Sequence, residues 1–186
     1  MSNEVILNLG CGFKKMVGMV NVDAFDICQP DVVHDLNAFP YPWESNSVDG
    51  IAMHHTLEHL EDYWAVITEC ARILKVGGWL EVRVPDESSA TAATYRDHLH
   101  VFSLASFHGI MERTGWGTNA WAAMENETVP LYMEKYNQVP FDQYNWMTRT
   151  GFRWLLVFCA KHMRNFIWEQ RFLFRKVGDR DEHISR

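Results

Sequence analysis

The chain has 186 residues, of which 47% are hydrophobic and 22% are charged, a composition typical of a globular protein with one buried core. Its formal net charge of −7 argues against a dedicated nucleic-acid-binding protein, although nucleic acid stays open as a partner. The N-terminus lacks the basic and apolar segments of a signal peptide, and no apolar stretch is long enough for a transmembrane segment. We therefore expect a cytoplasmic location and reduced cysteines at Cys11, Cys28, Cys70 and Cys159.

Short strands rich in Val, Ile and Leu are predicted throughout the first half of the chain. They cover Val5–Leu9, Met19–Asp23, Asp31–His34, Val48–Met53 and Trp79–Val84. Their composition is typical of strands that are covered on both faces of a sheet.

An amphipathic helix is predicted between the fourth and fifth of these strands. Apolar residues recur at spacings of three and four from Leu60 to Leu74, and Lys75-Val76-Gly77-Gly78 follows as a stop signal. A strand, a helix and a further strand in this order predict a right-handed parallel crossover.

The second half of the chain has a weaker pattern. Helices are predicted over Glu87–Leu99, Ser103–Arg113 and Arg149–Met163, and an antiparallel edge strand over Phe166–Arg175. The segment from Trp116 to Gln143 is predicted to be irregular, as long functional loops often are. For most of its aromatic residues we favour a core or dimer-interface role, with substrate contact as the alternative. These are Trp116, Trp121, Tyr132, Tyr136, Phe141, Tyr144 and Trp146.

Together these elements predict a Rossmann-like, doubly wound α/β fold in three layers, with a mostly parallel sheet and an antiparallel last strand. We expect a single domain over residues 1–186. Residues 1–100 would form its cofactor-binding half, and residues 101–186 the substrate or cap region with the final helix and strand.

Glycines and polar residues follow the carboxyl ends of four predicted strands, the edge at which open α/β sheets bind ligands. Glycine lets the backbone turn sharply and approach a ligand closely. An aspartate after the second strand can accept hydrogen bonds from both hydroxyls of a ribose. Each residue alone is more often structural, since an aspartate at a strand end often caps a turn, but the ordered set points to a nucleotide-like ligand. The set is Gly10-Cys11-Gly12, Asp23, Asp35-Leu36 and His54-His55.

The chain resembles the class I S-adenosylmethionine-dependent methyltransferases, and in particular the methyltransferase-11-like enzymes. The resemblance lies in Leu7–Gly12, Asn21–Asp23, Asp35-Leu36, Ser47–Ile51, His55–Leu60 and Leu74–Leu80. It implies S-adenosylmethionine as cofactor, S-adenosylhomocysteine as product, and methyl transfer to an O or N nucleophile. The substrate expected is a small molecule or a glycan, and a homodimer is possible.

The resemblance also implies the residues of the cofactor site. The glycines would lie against the amino-acid end of the cofactor, Asp23 on the ribose, and Asp35 with Leu36 around the adenine. The backbone near His54 would line the methionine side. The full implied set is Leu9, Gly10, Cys11, Gly12, Asp23, Ala24, Asp35, Leu36, His54 and His55.

One segment departs from the family pattern. Only the residues from Phe13 to Gly18 separate the glycine turn from the second strand, too few for the helix that is usual there. We therefore expect a trimmed form in which a loop replaces this helix.

Histidines are the candidate catalytic residues, because an unperturbed pKa of about 6.5 suits a general base. His55 would stand beside the methyl group, and His98 and His100 follow the fifth strand. The alternatives are a helix-entry histidine bonded to backbone for His55, and a surface or packing role for the other two.

Two further functions stay open. One is a non-catalytic S-adenosylmethionine-binding or scaffold protein with the same fold. The other is a zinc hydrolase, because His55-Thr56-Leu57-Glu58-His59 matches the H-x-x-E-H motif. That motif needs both histidines on one helical face, whereas His55 directly follows a predicted strand, so no metal site is predicted.

Overall fold

A computed structural model describes residues 4–107, 131–140, 154–155 and 167–177. Within these residues the chain forms one seven-stranded sheet with the strand order β3-β2-β1-β4-β5-β7-β6. The strands are β1 (Ile6–Leu9), β2 (Val20–Asp23), β3 (Val32–Val33), β4 (Val48–His54), β5 (Leu74–Pro85), β6 (Leu131–Pro140) and β7 (Ile167–Lys176). The α-helices are α1 (Tyr63–Ile73) and α2 (Ala90–Thr94), and short 3-10 helices cover Asp26–Cys28, Leu57–His59 and Leu104–Phe107.

The strand directions confirm the predicted mostly parallel sheet with an antiparallel last strand. β1 to β5 pair in parallel, and β7 is antiparallel to β5. The prediction of β7 as an edge strand was wrong, because β6 pairs with its other side and forms the edge. The three-layer arrangement stays a prediction, since α1 is the one described helix longer than five residues.

The structure of the first half of the chain agrees closely with the elements predicted from the sequence, including the absence of a helix between β1 and β2. Residues 10–19, between β1 and β2, form turns without any helix, as the short spacing predicted. The predicted helix before β5 is α1, whose N-terminal amides of Trp64 and Ala65 donate to the Asp62 carboxylate at 3.1 and 2.9 Å. The helix ends at Ile73, and the glycines of the stop signal form a bulge early in β5.

The expectation that the strands of the first half are covered on both faces was wrong for β5. In β5 the fully buried Leu80 and Val82 alternate with the half-buried Glu81 and Arg83. In β7 the buried aromatic residues at positions 172 and 174 alternate in the same way with half-buried residues at positions 171, 173 and 175, of which the outer two are arginines. One face of this part of the sheet therefore packs into the apolar core, and the other carries charged side chains.

The second half differs most from the predictions. The predicted helix Glu87–Leu99 is reduced to α2, because the amides of Leu99 and His100 bond to the carbonyl of Glu58 instead of continuing a helix. The predicted helix Ser103–Arg113 is a 3-10 helix up to Phe107, and its remainder lies outside the described residues.

The segment predicted to be irregular contains β6, whose pairing with β7 no local pattern reveals. Tyr132 and Tyr136 lie on this strand. The other predicted aromatic residues, and the predicted helix Arg149–Met163 except for positions 154–155, lie outside the described residues. None of the described helices has the length and apolar content needed to cross a membrane.

Candidate functional site

The glycine turn after β1 has a backbone that only glycine fits well. Gly10 and Gly12 have φ angles of +68° and +49°. The amides of Gly10 and Cys11 donate to the carbonyl of Val22 at 2.9 and 3.0 Å, which folds the turn against the end of β2. A Cβ on Gly10 would lie 2.8 Å from the Cβ of Thr56 and closer still to its methyl and hydroxyl groups. Glycine is therefore required at position 10 both by the positive φ angle and by the close packing against Thr56.

Thr56 is a site residue that the sequence did not indicate. Its side chain is buried, and its hydroxyl lies 3.2 Å from the carbonyl oxygens of Leu9 and His54. It therefore ties the carboxyl end of β1 to that of β4. Nothing in the sequence marks Thr56, because its role depends on the close approach of Gly10 from another strand.

Asp23, the residue expected on the ribose, holds the glycine turn. One carboxylate oxygen accepts a hydrogen bond from the Gly12 amide at 2.8 Å, and the other accepts from the Phe25 amide at 3.0 Å. Each carboxylate oxygen has a second lone pair for a further donor. Ala24, which follows it, is exposed. The structure thus brings Leu9, Gly10, Cys11, Gly12, Asp23 and Ala24 together at one edge of the sheet.

The two residues expected around the adenine have different surroundings. Asp35 is exposed and accepts a hydrogen bond from the Asn37 amide at 2.9 Å, which forms a turn after β3. Leu36 is only 4% exposed and packs in the hydrophobic core, and its carbonyl accepts a hydrogen bond from the Tyr41 hydroxyl. Asp35 is therefore the accessible member of this pair.

The side chain of His54 turns towards β5 rather than towards the glycine turn. Its Nε2 lies 2.8 Å from an oxygen of Glu81, and the Nε of Arg83 donates to the same oxygen at 2.6 Å. The hydrogen bond from His54 is the main reason that the pKa of Glu81 falls to about 2, with Arg83 adding to it. Only the backbone of His54 is left for the role that the resemblance implies along the methionine side.

His55 lies between two carboxylates. Its Nε2 is 2.9 Å from Glu169 on β7, and its Nδ1 is 3.5 Å from Glu58. The pKa of His55 is raised to about 9, first by the hydrogen bond to Glu169 and next by the interaction with Glu58. At neutral pH this ring is an imidazolium without a free lone pair, which does not suit a general base in this arrangement.

Glu169 is the second site residue that the sequence did not indicate. It is 3% exposed, and besides His55 it pairs with the neighbouring Arg171 on the same strand. It stands 114 positions after His55 in the chain, and the two meet only because β7 pairs with β5 beside β4.

The other two candidate histidines do not join His55. The Nδ1 of His98 bonds to the carbonyl of Ala92 at 3.2 Å, and its ring lies 4.8 Å from that of His59. The Nε2 of His100 bonds to the carbonyl of Leu60 at 2.9 Å. For His100 this placement agrees with the packing role named as its alternative.

The strand order, the reversed β7 and the glycine turn beside an acid at the end of β2 define a Rossmann-like methyltransferase fold. Residues 7–82 match the family model Methyltransf_11, a methyltransferase domain, which confirms the resemblance for that part of the chain.

Known proteins agree with this class. A demethylmenaquinone methyltransferase from Bacillus mycoides is 34% identical over 62 residues, which is 33% of this chain and 26% of that protein. The match thus spans about a quarter of that relative.

Two solved structures share the fold. A SAM-dependent methyltransferase from Archaeoglobus fulgidus superposes with a TM-score of 0.62 at 14% identity, over 94% of this chain and 87% of that one. A Haemonchus contortus phosphoethanolamine N-methyltransferase bound to S-adenosylhomocysteine gives a TM-score of 0.56 at 14% identity, over 95% and 49% of the two chains. At these identities the two structures show the shared fold, and the family match over residues 7–82 supports S-adenosylmethionine as the cofactor.

Proposed function

We propose that this protein binds S-adenosylmethionine at the carboxyl ends of β1, β2 and β4 and transfers its methyl group to an acceptor. The observation that carries the proposal is the bond between the Gly12 amide and the Asp23 carboxylate. This bond joins the glycine turn, whose positive φ angles glycine adopts readily, to the acid that the resemblance assigns to the ribose. A turn held in this way leaves a backbone surface without Cβ atoms against which a ligand can lie.

We propose the following roles within this site. Gly10 and Gly12 contact the amino-acid end of the cofactor, Asp23 accepts from the ribose hydroxyls, and Asp35 accepts from the exocyclic amine of the adenine. The backbone at His54 lines the methionine side. Because β6 and β7 extend the sheet of the first half, we propose one domain over residues 1–186.

Methyl transfer from a sulfonium is an in-line displacement, so the main task of the protein is to position the acceptor atom against the methyl group. We propose an O or N nucleophile on a small molecule or glycan as the acceptor. The cytoplasmic location and the homodimer stay predictions.

For His55 we propose a positioning role. An imidazolium held by Glu58 and Glu169 fixes the turn that follows β4, and the backbone amide of His55 adds a bond to the carbonyl of Arg83 at 2.8 Å. Fixing this turn also fixes the backbone that would face the cofactor sulfur.

Cofactor binding without catalysis is the second candidate function. It is favoured by one observation: His55, the histidine expected beside the methyl group, has both nitrogens directed at carboxylates. Binding without turnover on any acceptor would support this alternative.

Isothermal titration calorimetry with S-adenosylmethionine and S-adenosylhomocysteine tests the proposal. We expect both ligands to bind, and Asp23→Ala to weaken binding by about 10- to 100-fold, because two charge-assisted hydrogen bonds to the ribose are lost. Asp26→Ala is the matched control, since this exposed aspartate stands three residues away and should leave binding unchanged.

Thermal unfolding of Asp23→Ala separates a lost ligand contact from a collapsed glycine turn, and Asp23→Asn retains one acceptor oxygen for comparison. The proposal would be overturned if neither S-adenosylmethionine nor S-adenosylhomocysteine bound at about 1 mM. Equal binding by the wild type and a folded Asp23→Ala variant would overturn the ribose role.

A further inference from the structure

Glu58, His59 and His98 form a cluster of potential metal ligands beside the turn that follows β4. Each offers one ligand atom, and these atoms lie within 4.8 Å of one another. We propose that this cluster is a binding site for a divalent metal ion of the zinc type. The proposal does not depend on methyl transfer, because it rests on the side chains of the cluster alone.

The carboxylate of Glu58 is the strongest indication of a missing partner. The residue is 1% exposed, and neither of its side-chain oxygens has a hydrogen-bond partner. The nearest cation is the Nδ1 of His55 at 3.5 Å, at the outer limit of a hydrogen bond. The His55 imidazolium compensates this buried carboxylate only in part at that distance, and a bound cation would complete the compensation that a buried charge needs.

The hydrogen bonds of the two histidines leave Nε2 as the nitrogen available for coordination. The Nδ1 of His59 lies 3.0 Å from the carbonyl oxygen of Asp97, and the Nδ1 of His98 lies 3.2 Å from that of Ala92. A carbonyl oxygen only accepts, so each Nδ1 must carry the proton. In the tautomer that carries its proton on Nδ1, the lone pair that a metal ion needs is on Nε2. Metal-binding histidines characteristically have one ring nitrogen fixed by a hydrogen bond in this way.

The backbone holds the segment around His98 against Glu58 without help from a metal. The amides of Leu99 and His100 donate to the carbonyl of Glu58 at 2.7 and 3.2 Å. The rings of His59 and His98 meet edge to face with their centroids 4.8 Å apart. The three ligands are therefore held near one another, and their ligand atoms, which lie within 4.8 Å of one another, must move closer together around a zinc ion, whose bonds are about 2.0–2.2 Å long.

Two imidazoles and one carboxylate form a ligand set that suits zinc and leaves a fourth position open for water or a substrate oxygen. The side chain of His59 is 34% exposed, so an ion can reach the cluster from solvent. The site differs from the H-x-x-E-H arrangement considered from the sequence. His55 takes no part, and His98, from the segment after β5, supplies the third ligand.

Zinc titration of metal-free protein, followed by calorimetry, tests the proposal, with visible absorption of a Co²⁺-substituted sample as a second readout. We expect one ion per chain and Co²⁺ bands of a four-coordinate nitrogen and oxygen site. His98→Gln should weaken Zn²⁺ binding by at least about 100-fold, since loss of a ligand exceeds the effect of losing an outer hydrogen bond. His34→Gln is the matched control, because its Nε2 also bonds to a carbonyl, that of Ala38, outside the cluster.

Glu58→Gln supplies a second test that retains the shape of the buried side chain, and it should also abolish the Co²⁺ bands. Thermal unfolding must show that each variant is folded, and Zn²⁺ should raise the melting temperature of the wild type but not of His98→Gln. The proposal is overturned by equal Zn²⁺ affinity of the wild type and His98→Gln. An equal loss of affinity in His34→Gln, which indicates adventitious binding to surface histidines, also overturns it.

Discussion

The carboxyl edge of the sheet has two parts that are held together by different forces. At the ends of β1 and β2, backbone amides and carbonyls close the structure around Gly10 and Asp23, and side chains must stay small. At the ends of β4, β5 and β7, ion pairs between side chains hold the structure together, such as those of Glu81 with Arg83 and of His55 with Glu169. The first part therefore depends on volume and backbone angles, and the second on charge.

This difference has a physical origin in the trimmed loop between β1 and β2. Without a helix there, the turn has few partners and relies on direct bonds to β2 and on contact with Thr56. In the charged part, Glu81 and Arg83 are half-exposed on one face of β5, where solvent screens the pair and limits its contribution, whereas Glu169 on β7 is buried.

The largest expected effect comes from adding one methyl group to the first part. Gly10→Ala should reduce the free energy of unfolding by about 3 kcal/mol or more, because a positive φ is strained and the new Cβ overlaps Thr56. Gly12→Ala is the matched control, since it has a positive φ but no atom within 4 Å of the added Cβ. It should cost about 1 kcal/mol.

Urea unfolding of both variants measures the difference between them. Equal destabilisation by the two substitutions would mean that contact with Thr56 does not constrain the glycine turn. The proposal that side chains at the ends of β1 and β2 must stay small would then be wrong.

A smaller effect is expected from the charged part, and it depends on pH. The pKa of Glu81 is about 2 in the folded protein, below its ordinary value of 4.5, because His54 and then Arg83 stabilise the carboxylate. A lowered pKa means that the ionised group stabilises the fold above pH 4.5, and that this stabilisation is lost as the pH falls from 4.5 towards 2. Glu81→Gln should therefore remove about 1 kcal/mol at neutral pH and nearly nothing near pH 2.

Unfolding free energies at a series of pH values between 2 and 7 test this expectation, with Glu44→Gln at an exposed position as the control. A pH dependence that is the same in the wild type and in Glu81→Gln would contradict the role given to the His54–Glu81–Arg83 group.

The features that the sequence could predict belong mostly to the first of these two parts, and those that it could not predict belong mostly to the second. β1, β2, β4 and α1, together with the missing helix, follow from local patterns, because apolar spacing, glycines and chain length act over a few residues. The glycine turn with Asp23 could be found for the same reason.

Features built by distant contacts could not be found from local patterns. The hydrogen bond of His55 to Glu169 spans 114 positions, and β6 exists through its pairing with β7. The predicted helix Glu87–Leu99 was too long, because the carbonyl of Glu58 accepts hydrogen bonds from the amide of Leu99 at its end and from that of His100 just after it. The raised pKa of His55, which changes its expected role, follows from the same distant pairing.

A crystal structure with S-adenosylhomocysteine tests the central claim most directly. We expect the ribose hydroxyls within hydrogen-bond distance of Asp23, the amino-acid end against Gly10 and Gly12, and the sulfur beside the backbone of His54 and His55. A complex in which the ligand occupies another edge of the sheet, with Asp23 still bonded only to backbone amides, would contradict the account.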